Sequence, residues 1–297
     1  MRKTVVFILS SNFSGSHFLS LLLGSHSKAA HLGEVKNLVK IKNLGQKSSH
    51  NSESSRQCYV CEEKPECIIT SRLHGLQKGD IYSTLFSRHA PSITHLIDAS
   101  KKSEWANNFI SNPDFNIKFI HLIRDPRALV RKWDLHYNAP SDLTRQKVKQ
   151  IRNFPSKLMK ILWFPSWQTY LLKWLDQNRT IFNFIMSSGH DYQTISYEEL
   201  ATDAEKTLGP LMAWLELDFE PAQINYWEHE HHGTQKQKYN TNTENNKKFI
   251  DTRWKTEIPN HVQKSITRSS DLQSFISELG YSCTDNGLFK THGCPNS

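Results

Sequence analysis

The chain of 297 residues carries a formal net charge of +8, with 22% charged residues, eight tryptophans and fifteen phenylalanines. This composition excludes an intrinsically disordered chain, and the length suits one large α/β domain with a full core. No run reaches the ~20 apolar residues of a membrane span and no nucleic-acid-binding motif accompanies the charge, which indicates a solvated surface or an anionic ligand.

Apolar, β-branched runs alternate with helix-like segments along the chain. The predicted strands are Thr4–Leu9, Ser92–Ile97, Ile117–Ile123 and Tyr192–Ser196, and the predicted helices are Phe18–Ser25, Asp125–Tyr137, Phe164–Met186 and Ala204–Leu215. Alternation of this kind predicts an α/β fold with a central, mostly parallel sheet flanked by helices. We expect a single domain over residues 1–297, with an irregular insertion over about residues 43–80.

Polar segments follow each predicted strand: SSNFSGSH, DASKK, RDPR and YEEL, in chain order. The carboxyl ends of parallel strands share one edge of a sheet, where ligands of open α/β folds bind. One of these turns leads into a helix, and two others carry basic groups. Together they would surround a polyanion.

The first of these turns is not a Walker A loop. That motif requires GxxxxGK[ST], in which the lysine reaches the β- and γ-phosphates and the hydroxyl holds magnesium. Here Gly15 is followed by Ser16 and His17, and the turn contains no lysine. A kinase that uses a magnesium nucleotide is therefore not expected.

The motifs resemble those of sulfotransferases that use 3′-phosphoadenosine 5′-phosphosulfate (PAPS), especially the bacterial and tyrosylprotein-type branch. The segment FSGSHFLSLLLGSH resembles the family's 5′-phosphosulfate loop, HLGE the segment with its catalytic base, and DASK its DSSK turn. KFIHLIRDPRALV resembles the 3′-phosphate strand and helix, ISYEELATD the YEDL segment, and residues 229–256 the C-terminal closing loop. The resemblance implies a P-loop-NTPase-like sulfotransferase fold, with PAPS as co-substrate, PAP as product and no catalytic metal.

The resemblance also implies roles for particular residues. Glu34 is the candidate base, and Lys101 is the candidate for stabilising the bridging oxygen of the leaving group. The 5′-phosphosulfate is expected at Ser14, Gly15, Ser16, His17 and Phe18, the 3′-phosphate at Arg124 and Lys132, and the ribose or 3′-phosphate region at Tyr197. His17, Asp98 and His121 are rival bases, Arg127 is as well explained by pairing with Asp125, and Arg253 and Lys255 are further candidates from the closing loop.

Phe13 departs from the family pattern, which has a basic residue before the Ser-Gly pair. Two alternatives to an active enzyme therefore stay open: a non-catalytic relative that binds PAPS or PAP, and a basic protein that binds polyanions. The expected acceptor is a carbohydrate, a small alcohol or lipid, or a tyrosine. The sequence does not define the oligomeric state.

The five cysteines include a cluster at Cys58, Cys61 and Cys67. A zinc knuckle, with His74 as the nearest fourth ligand, a disulfide and reduced thiols are equally compatible with this spacing. An odd cysteine count is not typical of a secreted disulfide framework, and the apolar run at the N-terminus is short for a signal peptide. We therefore expect a cytoplasmic protein.

Overall fold

Five strands form the central sheet of the computed structural model, which describes residues 2–39, 58, 60–61, 67, 73, 75–137, 139–232 and 250–291. They are β1 (Thr4–Ser10), β2 (Ala29–Gly33), β3 (His95–Lys101), β4 (Asn116–Ile123) and β5 (Tyr192–Ser196). The order is β2-β3-β1-β4-β5, and every neighbouring pair is parallel. All seven residues of β1 are buried, as expected for a central strand covered on both faces.

Helices cover both faces of this sheet. The first group is α1 (Ser16–Gly24), α2 (Val35–Val39), α3 (Ile81–Arg88), α4 (Ser103–Ala106), α5 (Pro126–His136), α6 (Pro140–Asn153) and α7 (Leu158–Trp163). The second group is α8 (Ser166–Ser188), α9 (Tyr197–Thr202), α10 (Ala204–Trp214), α11 (Trp254–Glu257), α12 (Asn260–Thr267) and α13 (Ser270–Glu278). A short antiparallel hairpin of β6 (Tyr281–Thr284) and β7 (Gly287–Lys290) follows.

Alternate side chains of the central strands enter two different apolar layers. Phe7 and Leu9 pack with α3, α4 and α8, whereas Val6 and Ile8 pack with α1 and α10. A third cluster joins α5 and α8 to α12 and α13. The two-sided covering confirms the predicted single α/β domain with a parallel sheet flanked by helices.

The structure differs from the prediction at two strands. β3 runs to Lys101, so residues 98–101 belong to the strand instead of a turn after it. The buried Asp98 is tolerated there because Tyr82, Trp105 and Ser100 donate hydrogen bonds to it. β2, with the short sequence AAHLG, was not predicted as a strand because it is too short to show a pattern.

Among the residues that the structure describes, no helix combines the length and the apolar character needed to cross a bilayer.

Candidate active site

The carboxyl ends of the parallel strands lie along one edge of the sheet and carry most of the residues singled out from the sequence. Glu34 follows β2, Lys101 ends β3, Arg124 follows β4 and Tyr197 follows β5. Because β1 lies between β3 and β4, its turn emerges at the centre of this edge. The fold thus brings the predicted residues to the edge where open α/β sheets bind ligands.

The turn after β1 contains a glycine in a left-handed conformation and leads directly into α1. Gly15 has a φ of +92°, and a Cβ at this position would lie 2.4 Å from Cδ2 of Tyr197. No side chain within the described ranges caps the start of α1, and the buried Ser14 hydroxyl has no hydrogen-bond partner there. Uncapped N–H groups beside an unused hydroxyl fit a phosphate or sulfate group.

Gly15→Ala is expected to lower the free energy of unfolding by about 2–4 kcal/mol, because the methyl group both clashes with Tyr197 and requires a left-handed backbone. Gly189→Ala is the matched control, since Gly189 also has a positive φ, of +69°, but no described atom lies within 4 Å of the position that its methyl group would take. The control should lose only about 1–2 kcal/mol. Equal losses in urea unfolding would show that the close approach of Tyr197 is unimportant.

Arg124 and Tyr197 form a stacked pair beside this turn. The guanidinium lies 4.2 Å from the centroid of the Tyr197 ring, and its Nη1 donates a hydrogen bond of 2.7 Å to the carbonyl of Phe13. Its Nε is buried and has no hydrogen-bond partner among the described residues. Arg124 thus reaches the turn directly and retains an unused donor.

The Asp251 carboxylate lies close to three arginines, one of which is Arg124. The sequence motifs did not indicate this arrangement. The carboxylate lies 3.1 Å from Arg124, 2.7 Å from Arg253 and 3.9 Å from Arg131. Burial opposes ionisation of Asp251, but the hydrogen bond from Arg253 and the charge of Arg124 hold its pKa below the usual value. Three cations around one carboxylate make this corner of the site strongly attractive to anions.

Phe13 occupies the position where the family pattern has a cation, and a lysine lies beside it. Phe13 has a φ of +71°, and the centroid of its ring lies 5.0 Å from that of the His136 ring. The Lys132 ammonium, on α5, lies 5.5 Å from the centroid of the Phe13 ring. A positive charge is therefore present next to the turn although residue 13 does not supply it.

Glu34 and Lys101, from neighbouring strands, contact each other. The Lys101 ammonium donates a hydrogen bond to Oε1 of Glu34, and the Asn37 side chain donates to Oε2. The side chains of Glu34 and Lys101 are 33% and 17% exposed, respectively, so both remain partly accessible to solvent. Lys101 has a φ of +67°, an uncommon conformation for a residue with a side chain, which is typical of functional sites.

The rival bases lie in different environments. Asp98 is fully buried and is held by Tyr82, Trp105 and Ser100, and burial raises its pKa. His121 is buried against Asn178, and burial lowers its pKa to about 4. Both are typical of packed structural groups.

His17 differs from these two because it is the second residue of α1, directly after the turn. Its ring centroid is 4.9 Å from that of the buried His31. This contact joins the start of α1 to β2, three residues before Glu34. The contact therefore brings the His17 ring against the strand that precedes Glu34.

Two buried acidic residues, Asp125 and Glu198, lie at the start of α5. Asp125 caps α5 and binds the Arg127 guanidinium, while its backbone N–H donates to Oε1 of Glu198. Burial, with the charge of Asp125 as the second cause, raises the pKa of Glu198 to about 8. Arg127 also stacks on Trp254, so its contacts are structural.

Glu198→Gln is expected to improve stability relative to the wild type as pH rises. A carboxyl group whose pKa is higher in the folded than in the unfolded protein stabilises the fold. This contribution is complete below the unfolded pKa, near 4.5, and is lost as the pH rises through the folded pKa, about 8. A folded pKa that lies one pH unit above the unfolded pKa corresponds to about 1.4 kcal/mol, so melting temperatures at pH 5 and pH 8.5 should reveal the difference. The exposed Glu205→Gln variant should show no such change, and a pH-independent difference for Glu198→Gln would contradict the assignment.

A sequence model of the sulfotransferase family matches residues 6–221, which contain β2 to β5 and most of β1. The chain belongs to the sulfotransferase family. No curated protein sequence matches this sulfotransferase. Its structure is similar to the sulfotransferase domain from the curacin biosynthetic pathway, with a TM-score of 0.59 and 19% identity over 93% of this chain and 97% of that one. At this level of identity the likeness shows a shared fold.

Two further structures match less closely. The sulfotransferase domain of the Synechococcus PCC 7002 olefin synthase has a TM-score of 0.49 and 21% identity over 77% of this chain and 80% of its own. A retinol dehydratase solved with androsterone and inactive cofactor PAP has a TM-score of 0.36 and 11% identity over 94% of this chain and 81% of its own. Neither contributes to the fold assignment of this sulfotransferase.

Proposed function

We propose that this sulfotransferase moves a sulfuryl group from PAPS to a hydroxyl or amine acceptor and releases PAP. The observation that carries this proposal is the contact between Glu34 and Lys101 at the same sheet edge as the uncapped start of α1 and the Arg124–Tyr197 pair. A base, a cation and an anion-binding turn are the three components that in-line transfer of a sulfuryl group needs.

The turn and its neighbours would hold the nucleotide. The backbone of Ser14 to Phe18 would bind the 5′-phosphosulfate, with the unused hydroxyl of Ser14 as an additional donor. Arg124 and Lys132, which both contact Phe13, would bind the 3′-phosphate. Tyr197 would line the ribose or 3′-phosphate region. Bound PAPS supplies the sulfuryl group, and its phosphate is already a good leaving group.

Glu34 and Lys101 would then divide the chemistry between them. Glu34 removes the proton from the acceptor oxygen or nitrogen as that atom attacks sulfur. Lys101 stabilises the negative charge that develops on the bridging oxygen of the departing phosphate. Once Glu34 is protonated it no longer neutralises Lys101, so the full charge of the ammonium becomes available to the leaving group.

Lys132 places a positive charge beside the turn in spite of Phe13. The non-catalytic alternative rests on the missing cation at position 13, and the Lys132 ammonium lies 5.5 Å from the Phe13 ring. A lysine acts as a point charge and does not require the planar geometry of an arginine. The contact between Glu34 and Lys101, which nucleotide binding alone does not need, favours an active enzyme over a binding protein.

The acceptor and the cellular location are further parts of the proposal. The acceptor is a hydroxyl or amine carried by a carbohydrate, a small alcohol or lipid, or a tyrosine. The cytoplasmic location is supported by the odd number of five cysteines, which is not typical of a secreted disulfide framework.

Incubation of the purified chain with PAPS and members of each acceptor class tests the proposal. We expect PAP release that depends on an acceptor, together with a product heavier by one sulfuryl group in mass spectrometry. Tight binding of PAP with no turnover on any acceptor would instead support the non-catalytic alternative. Binding of heparin or DNA without affinity for PAP would support the polyanion-binding alternative.

A further inference from the structure

Three cysteines and one histidine from distant parts of the chain converge outside the proposed active site. The ligand atoms of Cys58, Cys61, Cys67 and His232 all lie within 4.8 Å of one another. The three cysteines are thiols and form no disulfide in the described structure. His74, which the sequence indicated as the nearest fourth ligand, lies outside the described residues, and His232 takes the fourth position.

The separations between sulfur and nitrogen match those around a tetrahedral ion. Nδ1 of His232 lies 3.6 Å, 3.3 Å and 3.7 Å from Sγ of Cys58, Cys61 and Cys67, respectively. Bonds of about 2.3 Å from zinc to sulfur and about 2.0–2.1 Å from zinc to nitrogen place the two atoms about 3.5 Å apart in a tetrahedron. The three nitrogen–sulfur separations therefore already match those of a closed structural zinc site.

The surroundings of the four atoms also suit a metal. Oε1 of Glu230 lies 3.1 Å from Nε2 of His232, the nitrogen that does not face the sulfurs. A carboxylate in this position orients a metal-binding histidine and fixes its tautomer. Cys58 and Cys67 are almost fully buried, and Arg88 lies close enough to Cys67 for their charges to interact. The guanidinium would offset the net negative charge of three thiolates and one histidine around a divalent ion.

We propose that Cys58, Cys61, Cys67 and His232 bind a structural zinc ion. On binding, the three thiols lose their protons and the neutral imidazole coordinates through Nδ1, so no oxidant or reductant takes part. The ion would join the three cysteines to His232, which lies 165 or more residues further along the chain.

This zinc site lies next to the row of histidines that leads to the candidate active site. His231 packs on His31 at 5.7 Å between ring centroids, and His31 packs on His17 of the phosphosulfate turn at 4.9 Å. The ion would therefore fix one end of this row without taking part in sulfuryl transfer. The inference does not rest on the proposed function, because metal content can be measured without any activity.

Elemental analysis of the full chain, purified without chelators from zinc-containing medium, tests the proposal. We expect about one zinc ion per chain, as in other closed sites of this ligand type. Cys61→Ser and His232→Ala should lose most of the zinc. His229→Ala and Cys283→Ser are the matched controls and should retain it, since neither residue belongs to the cluster. Zinc that persists unchanged in both cluster variants, or a folded wild type that takes up none, would overturn the proposal.

X-ray absorption spectroscopy on the wild type tests the zinc proposal independently if the cluster variants do not fold. The proposal requires a zinc shell of about three sulfurs near 2.3 Å and one nitrogen near 2.0–2.1 Å. A shell made only of nitrogen and oxygen would contradict it. Activity plays no part in either measurement, so failure of the zinc proposal and failure of the proposed transfer reaction remain distinguishable.

Discussion

Glu34→Gln is expected to lower kcat for sulfuryl transfer by about 10²–10⁴-fold, the usual contribution of a positioned general base. The amide keeps the size of the side chain and an oxygen that can accept a hydrogen bond from Lys101. It cannot, however, take up the proton of the acceptor molecule. The affinity for PAP should be nearly unchanged, because Glu34 acts on the acceptor and not on the nucleotide. Steady-state kinetics with PAPS and an acceptor measures kcat, and calorimetric titration with PAP measures the affinity for the nucleotide.

Glu104→Gln provides the matched control for this prediction. Glu104 lies on α4 close to Lys101 in sequence, but its side chain is exposed to solvent. The control should retain the wild-type kcat. If Glu34→Gln also keeps the wild-type rate, Glu34 is not the base, and His17 becomes the first alternative because it lies directly after the turn, at the start of α1.

Arg124→Ala is expected to weaken PAP binding by about 100-fold or more. The change removes a guanidinium that can make charge-assisted hydrogen bonds to a phosphate, each worth about 1.5–3 kcal/mol. It also removes the stacking partner of Tyr197 and the hydrogen bond to the Phe13 carbonyl. Arg124→Lys should recover only part of the affinity, because a lysine keeps the charge but not the planar set of donors.

Arg145→Ala controls for the loss of a positive charge as such. The Arg145 side chain is 78% exposed on α6, and it should not influence PAP binding beyond a small effect of net charge. Thermal unfolding of Arg124→Ala distinguishes lost binding from lost structure, since Asp251 retains Arg131 and Arg253. A folded Arg124→Ala protein with wild-type affinity for PAP would contradict the assigned role.

The core of the fold could be predicted from sequence because its strands are strongly patterned. β1, β4 and β5 are close to their predicted bounds, and so are α1, α5, α8 and α10. α6 was missed, since it is a mostly polar helix with only Gln150 buried and shows little of an apolar face. The hairpin of β6 and β7 was also missed, because two four-residue strands give almost no periodic signal.

The candidate site was predictable where predicted parallel strands end, which is why Lys101, Arg124 and Tyr197 could be expected at one edge of the sheet. Glu34 was placed there only by the family resemblance, because β2, the strand that precedes it, was not predicted. Contacts made across long sequence separations could not be predicted in the same way. Nothing in the local sequence of Asp251 indicates that it binds three arginines. Likewise, sequence distance favoured His74 for the cysteine cluster, whereas the fold brings His232 to it.

Calorimetric titration of the wild-type chain with PAP, beside ATP, tests the central claim most directly. A site built for PAPS should bind PAP with a Kd of about 10 μM or tighter, or about −7 kcal/mol, and ATP much more weakly, because ATP lacks a 3′-phosphate for Arg124 and Lys132. Folded protein that binds no PAP, or that binds ATP equally well, would contradict the assignment of the strand-end site to a phosphosulfate nucleotide.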